Sequence, residues 1–176
     1  WPIYSIATGN TKALTLDTSD GPDTGLSYFQ DTDPTSTLIS IGSVGELNGT
    51  GSTNICYCFA EKTGFSKFGW YYGTGVADGP FIETGFRPAV LIIKIAQVTA
   101  WVIQDDKRLG YNPTNNYLLP NTSSAEYSNF GVDFCANGFK IRDADSDVNH
   151  SGGTMTYAAF AEFPFVASND NPGVAR

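Results

Sequence analysis

Hydrophobic positions along this chain recur at every second residue or gather in short runs, and β-branched and aromatic side chains fill many of them. No stretch of useful length repeats them at helical spacing, so strands are expected throughout. The expected strands are 67–72, 81–84, 89–95, 101–104, 117–119, 132–135, 139–142 and 154–162, with further strands at 2–5, 13–16, 38–41 and 53–61. Between them stand Asp20-Gly21-Pro22, Gly73-Thr74-Gly75, Asp78-Gly79-Pro80, Asn112-Pro113 and Ser151-Gly152-Gly153, residue types that supply turn dihedrals. Short strands separated so closely predict an all-β fold, an antiparallel β-sandwich of jelly-roll-like form. Ala89-Val90-Leu91-Ile92-Ile93-Lys94-Ile95 is apolar on both faces, which suits a strand in mid-sheet with both sides covered.

The chain also resembles itself. Gly51-Ser52-Thr53-Asn54-Ile55-Cys56-Tyr57-Cys58-Phe59-Ala60-Glu61 lies over Gly152-Gly153-Thr154-Met155-Thr156-Tyr157-Ala158-Ala159-Phe160-Ala161-Glu162 at a fixed spacing of 101 residues. At the same spacing Asn48 meets Asn149, Leu38 meets Phe139, Phe29 meets Phe130 and Ser27 meets Ser128. With a small gap, Leu14-Thr15-Leu16 aligns with Leu118-Leu119-Pro120, and Trp1-Pro2-Ile3 with Trp101-Val102-Ile103. Residues 66–100 then have no counterpart in the first copy. The expected organisation is an incomplete N-terminal β repeat over 1–65, a complete β-sandwich repeat over 66–166 and a flexible C-terminal tail over 167–176. The chain reads as opening in mid-repeat, as if cut from something longer. The first copy's uncovered sheet then needs an upstream segment, the second copy or a neighbouring subunit to cover it.

Composition narrows the function classes. Of 176 residues 41% are hydrophobic and 16% charged, a globular and not a disordered balance. A net charge of −8 repels phosphate backbones, so no nucleic-acid partner is expected. The longest strongly apolar run, residues 89–96, falls short of the roughly 20 residues of a spanning helix, so no membrane insertion is expected. Cys56, Cys58 and Cys135 are odd in number and lack CxxC spacing, which suggests buried thiols and a reducing compartment.

Catalytic and metal motifs are poor fits. His150, the sole histidine, sits in the turn Asn149-His150-Ser151-Gly152-Gly153, without a nucleophile elbow, and one His with three scattered Cys makes a poor zinc site. Asp143-Ala144-Asp145-Ser146-Asp147-Val148-Asn149 alternates acidic residues like a calcium loop, yet has Val148 where Gly is needed and Thr154 where Glu is needed. Glu61 and Glu162 recur at one repeat position, a pattern better suited to a shared structural role than to an acid and base pair. No catalytic residue, metal or cofactor is therefore assigned. For binding, Trp70-Tyr71-Tyr72 places two rings on one strand face and one on the other, and outward rings stack on sugars or anchor interfaces. Asp105 and Arg108, in the charged exit Asp105-Asp106-Lys107-Arg108, could line a binding loop.

One stretch resembles a repeat found in structural proteins of tailed bacteriophages. It comprises Tyr57-Cys58-Phe59-Ala60-Glu61, Gly64-Phe65-Ser66-Lys67-Phe68-Gly69, Tyr72-Gly73-Thr74-Gly75, Asp78-Gly79-Pro80-Phe81 and Thr84-Gly85-Phe86-Arg87-Pro88-Ala89. It continues through Trp101, Asp105, Arg108, Asn116, Tyr117, Asn121, Gly138, Phe139 and Asn149 to Phe160-Ala161-Glu162 and Pro164-Phe165. The resemblance implies modules of the concanavalin or laminin-G kind. It also implies a non-enzymatic virion role as a tail-fibre, tail-associated or capsid-decoration subunit, assembled in the host bacterial cytoplasm. Its implied partners are other virion proteins and further copies of itself, a trimer above all, with a host-surface glycan as a further ligand. A lectin-like carbohydrate-binding module is the alternative, and a polysaccharide depolymerase the next.

Overall fold

A computed structural model describes residues 1–24, 27–108, 112–129 and 131–162. The tail expected over 167–176, and the sequence matches at Phe130, Pro164 and Phe165, lie outside the described residues. The strands are β1 (Pro2–Ile3), β2 (Leu14–Thr15), β3 (Ser66–Tyr72), β4 (Phe81–Glu83), β5 (Val90–Ile95), β6 (Val102–Asp105), β7 (Val132–Cys135), β8 (Gly138–Ile141) and β9 (Thr154–Phe160). Two single-turn helices, α1 (Gly45–Asn48) and α2 (Ser146–Asn149), complete the elements. At four residues each they are too short for a hydrophobic period to announce them.

All strand pairs are antiparallel, and two sheets stack as a sandwich. One runs β3-β9-β5-β6 and the other β4-β8-β7. Alternation decides what lies between them. Met155, Tyr157 and Ala159 of β9, Leu91, Ile93 and Ile95 of β5, and Tyr71 of β3 meet Ile82, Phe134, Phe139 and Ile141 of the facing sheet in one core. The Tyr71 and Phe139 rings pack at 6.1 Å and those of Phe139 and Tyr157 at 5.3 Å, both edge to face. Where β4 meets β8, a Cβ on Gly138 would stand 2.1 Å from the Ile82 carbonyl oxygen, so only glycine permits that approach.

The last strand, β9, holds β3 and β5 together. β9 lies between β3 and β5, with Phe68 opposite Ala158 on one side and Ile92 opposite it on the other. As the hydrophobic pattern of 89–95 requires, β5 is covered on both faces. Its outward face bears Lys94, which is fully buried and donates from Nζ to the carbonyl oxygens of Gln97 at 2.7 Å and Thr99 at 2.9 Å. The N-terminal residues supply cover on this side. The Ser5 and Thr156 hydroxyls share a buried hydrogen bond of 2.7 Å, and Trp101 Nε1 donates to the Thr15 carbonyl oxygen at 2.8 Å. A small second cluster of Ala13, Tyr28 and Phe29, joined by Tyr4, Val44 and Leu47, gives these residues a core of their own.

Three expectations need correction. Residues 38–41 and 53–61 form no strands, and Leu38 and Ile39 are exposed. A strand exists only where another edge accepts its hydrogen bonds in a ladder, and no described strand forms a ladder with these segments. Residues 117–119 contribute only isolated bridges, Tyr117 to Tyr127 and Leu118 to Ile103. The thiols are not uniformly buried: Cys56 and Cys58 are exposed, with their sulfurs 3.6 Å apart, and Cys135 is half-buried.

Proline at position 158 would remove a ladder donor in mid-sheet, so Ala158→Pro should cost about 3 kcal/mol or more, while Tyr57→Pro in the unpaired segment should cost under about 1 kcal/mol, both read from urea denaturation. Burial pulls the Lys94 ammonium down from 10.5 to about 8, against the attraction of Asp147 and Asp20. The unfolded chain then holds more protons than the folded one across that window, so the Lys94 contribution to stability rises with pH there. Denaturation midpoints of the wild type should gain on those of Lys94→Met between about pH 8 and about pH 9.5.

Candidate functional site

The most distinctive surface lies at the β3 edge of the four-stranded sheet. Ser66 exchanges backbone hydrogen bonds with Lys62, at 3.0 and 3.1 Å, on the side of β3 away from β9. Phe68, Trp70 and Tyr72 direct their backbone groups the same way, and no described residue pairs with them. Among the described residues this is an open strand edge, a template for a further strand. Its start is pinned by the Lys67 ammonium, which donates to Glu61 Oε2 at 3.0 Å.

The same alternation that opens the edge also clothes it. Odd positions of β3 face the core and even positions face outward, so Phe68, Trp70 and Tyr72 share the outer face. Trp70 is 46% and Tyr72 60% exposed, with their rings edge to face at 5.0 Å. Beside them Phe160 of β9 gathers Phe68 at 5.6 Å, Phe59 at 5.9 Å and Phe65 at 6.3 Å. Phe59 is itself 68% exposed, and Ile55 and Tyr57 of the same segment are exposed as well. A contiguous aromatic patch next to an unpaired strand edge is what an interaction surface looks like. Nearby, Glu61, Lys62, Lys67 and Thr84 line an open polar depression of about 360 Å³.

The residues singled out from sequence separate here. Trp70 and Tyr72 lie on the surface patch. Tyr71 does not: it is 7% exposed, sits between the sheets, and donates its hydroxyl to the Val148 carbonyl oxygen at 2.6 Å. Burial pushes its phenol pKa up. Asp105 and Arg108 lie at the opposite edge of the sheet, since β6 is separated from β3 by β5 and β9. At about 4.8 Å per strand, the structure does not bring them to the aromatic patch. There Arg108 Nε donates to Asp105 Oδ2 at 2.7 Å and Nη1 to Glu126, whose Oε1 also accepts from Asn116 Nδ2 at 2.7 Å. These charges are already satisfied by one another and stabilise a loop.

Other motifs also resolve into structural duties. Asp143 Oδ1 accepts from Asp145 N at 2.9 Å, and Asp145 Oδ1 accepts from Asp147 N at 2.8 Å as the cap of α2. Glu61 pairs with Lys67 and Glu162 with Lys107, each carboxylate held by a lysine. Reading from sequence missed Phe59, Phe65, Phe68 and Phe160 as parts of a surface. The available signal was the recurrence of Phe59 and Phe160 at one repeat position, on the parity opposite to the core. Because the two faces differ in burial, Tyr71→Ala should destabilise by about 3 kcal/mol or more, whereas Trp70→Ala and Tyr72→Ala should each change stability by less than about 1 kcal/mol in the same denaturation assay.

No curated protein and no solved structure matches the chain in comparisons with known proteins. One family model matches residues 1–164, taking in both the N-terminal residues and the whole described sandwich. By that match the chain belongs to the family described as Domain of unknown function (DUF7483).

Proposed function

We propose that this protein is a non-enzymatic structural component of a bacteriophage virion, a tail-fibre, tail-associated or capsid-decoration subunit that assembles with neighbouring virion proteins and with copies of itself as a trimer. The observation that carries the assembly role is the open edge of β3 beside exposed Trp70, Tyr72 and Phe59. An edge of this kind gains main-chain hydrogen bonds when another strand is added, and the aromatic rings supply apolar area to bury in the same step. The virion setting rests on the resemblance of residues 57–89, and of the later segments, to repeats of phage structural proteins. In such a setting the protein would be made in the host bacterial cytoplasm and retained in the particle.

A second reading has its own support. Trp70 and Tyr72, rigid and outward-facing, form a platform on which a sugar ring of a host-surface glycan could stack, which would make the module lectin-like. A depolymerase reading gains nothing from the Glu61 and Glu162 ion pairs, which hold both carboxylates against lysines.

Peptide mapping of purified phage particles, together with sedimentation equilibrium of the isolated chain, tests the proposal. The expected result is the chain in stoichiometric amounts in the particle and a trimer in solution that weakens at least about tenfold on Trp70→Ala. Its absence from particles, with a monomer that binds glycans through Trp70, would favour the lectin reading instead.

A further inference from the structure

Residues 53–59 are the most conspicuous unexplained segment of the molecule. Every residue from 51 to 63 is exposed, and residues 53–59 take part in no ladder among the described residues, although they include Ile55, Tyr57 and Phe59. Such a sequence has every physical reason to find partners.

The way into this segment is built like the way into β9. Ile3 pairs with Leu14 as Ile103 bridges Leu118, and Ala13 bridges Asp23 as Tyr117 bridges Tyr127. The helical turn Gly45–Asn48 recurs as Ser146–Asn149. In each, the last amide of the turn closes on the carbonyl of the capping residue: Asn48 N donates to Val44 O at 2.8 Å, and Asn149 N to Asp145 O at 2.7 Å. Next, Ser52 N donates to Gly49 O at 3.0 Å, and Gly153 N to His150 O at 2.9 Å. Gly51 and Gly152 both take left-handed dihedrals, with φ of 79° and 69°. One copy of this path then enters β9, between β3 and β5; the other enters solvent.

Side-chain parity sharpens the comparison. Asn54, Cys56 and Cys58 occupy the places of Met155, Tyr157 and Ala159, which face the core and are almost fully buried. Thr53, Ile55, Tyr57 and Phe59 occupy those of the outward-facing Thr154, Thr156, Ala158 and Phe160. A strand of the β9 kind is complete only when strands of the β3 and β5 kinds lie on its two edges.

We infer that residues 53–59 form the central strand of a second sandwich, and that its occupant is another copy of the module's leading half, a segment like residues 66–95. The register follows from β9: the position like Ser66 falls opposite Phe59 and that like Tyr72 opposite Thr53, while the positions like Val90 and Ile95 fall opposite Phe59 and Asn54. A second copy of the whole chain does not fit this role, because its own β3 and β5 are already joined by its own β9. Pairing turns Cys56 and Cys58 inward and takes them out of water. The inference goes beyond a virion role and does not depend on it, since its readout is on the isolated chain.

The test is a chain with a duplicate of residues 66–100 placed directly before Trp1, so that the duplicate runs into Trp1 as Ala100 runs into Trp101. With Cys135→Ser in both proteins, maleimide labelling of Cys56 and Cys58 should slow at least about a hundredfold in the extended chain, and amide exchange over 53–59 should slow in parallel. Unchanged labelling overturns the inference, as does equal shielding by an extension whose 90–95 stretch is scrambled. Should the extended chain fail to fold, the same duplicate added as a separate peptide to the original chain gives the readout. Slowing at least about tenfold at saturation supports the pairing, and no slowing overturns it. Shielding already present in the original chain and lost on dilution would place a whole second chain on the strand and also overturns the assignment.

Discussion

A strand in the middle of a sheet must have both of its edges satisfied, and here that demand falls on β9. It is the last strand of the sandwich, yet it lies between β3 and β5 and completes the ladder of each. Without it the four-stranded sheet divides into β3 alone and the β5–β6 hairpin, and Met155, Tyr157 and Ala159 leave the core together. The sandwich therefore closes only when its two ends in sequence meet, an arrangement of distant contacts in which no part is stable much before the rest.

The electrostatics follow this layout. Lys94 stands opposite Thr156 on the outward face of β5, where N-terminal residues cover the sheet, and its ammonium is held by two carbonyl oxygens of the turn that follows. The Asp147 carboxyl is raised above its ordinary pKa, chiefly by burial and also by Asp145, with Thr99 and Lys94 offsetting part of the rise. The opposite side of the molecule carries the ion pairs of Arg87 with Asp106 and Lys107 with Glu162, which tie the exit of β6 to the start of β5 and the end of β9. The aromatic patch at the β3 edge is bounded by one such pair, Lys67 with Glu61.

Much of this was legible in the residues. The doubly apolar pattern of 89–95 foretold a covered strand inside the sheet, and the apolar runs at 132–135 and 154–162 foretold strands where β7 and β9 lie. Alternation alone did not show which face of Trp70-Tyr71-Tyr72 would be outermost, because that depends on where the second sheet packs. Nor could it show that 38–41 and 53–61 lack strand partners among the described residues, since periodicity describes a strand's faces and is silent about its edges. Cys56 and Cys58 illustrate the same gap. Their spacing marks them as residues of one strand face, and whether that face is dry depends on a neighbour that no local pattern contains. Asp105 and Arg108 were visible as a charged loop, and only the sheet order shows them remote from the aromatic rings.

The central claim is that two segments of like sequence, 53–59 and 154–160, differ in structure because, among the described residues, only the second lies between two strand edges. Hydrogen exchange resolved by residue on the unmodified chain tests it most directly. The account predicts that the amides of β9 are among the slowest in the molecule, while those of residues 53–59 exchange at nearly the rate of an unstructured peptide. Comparable protection of the two segments in a dilute monomer would contradict it.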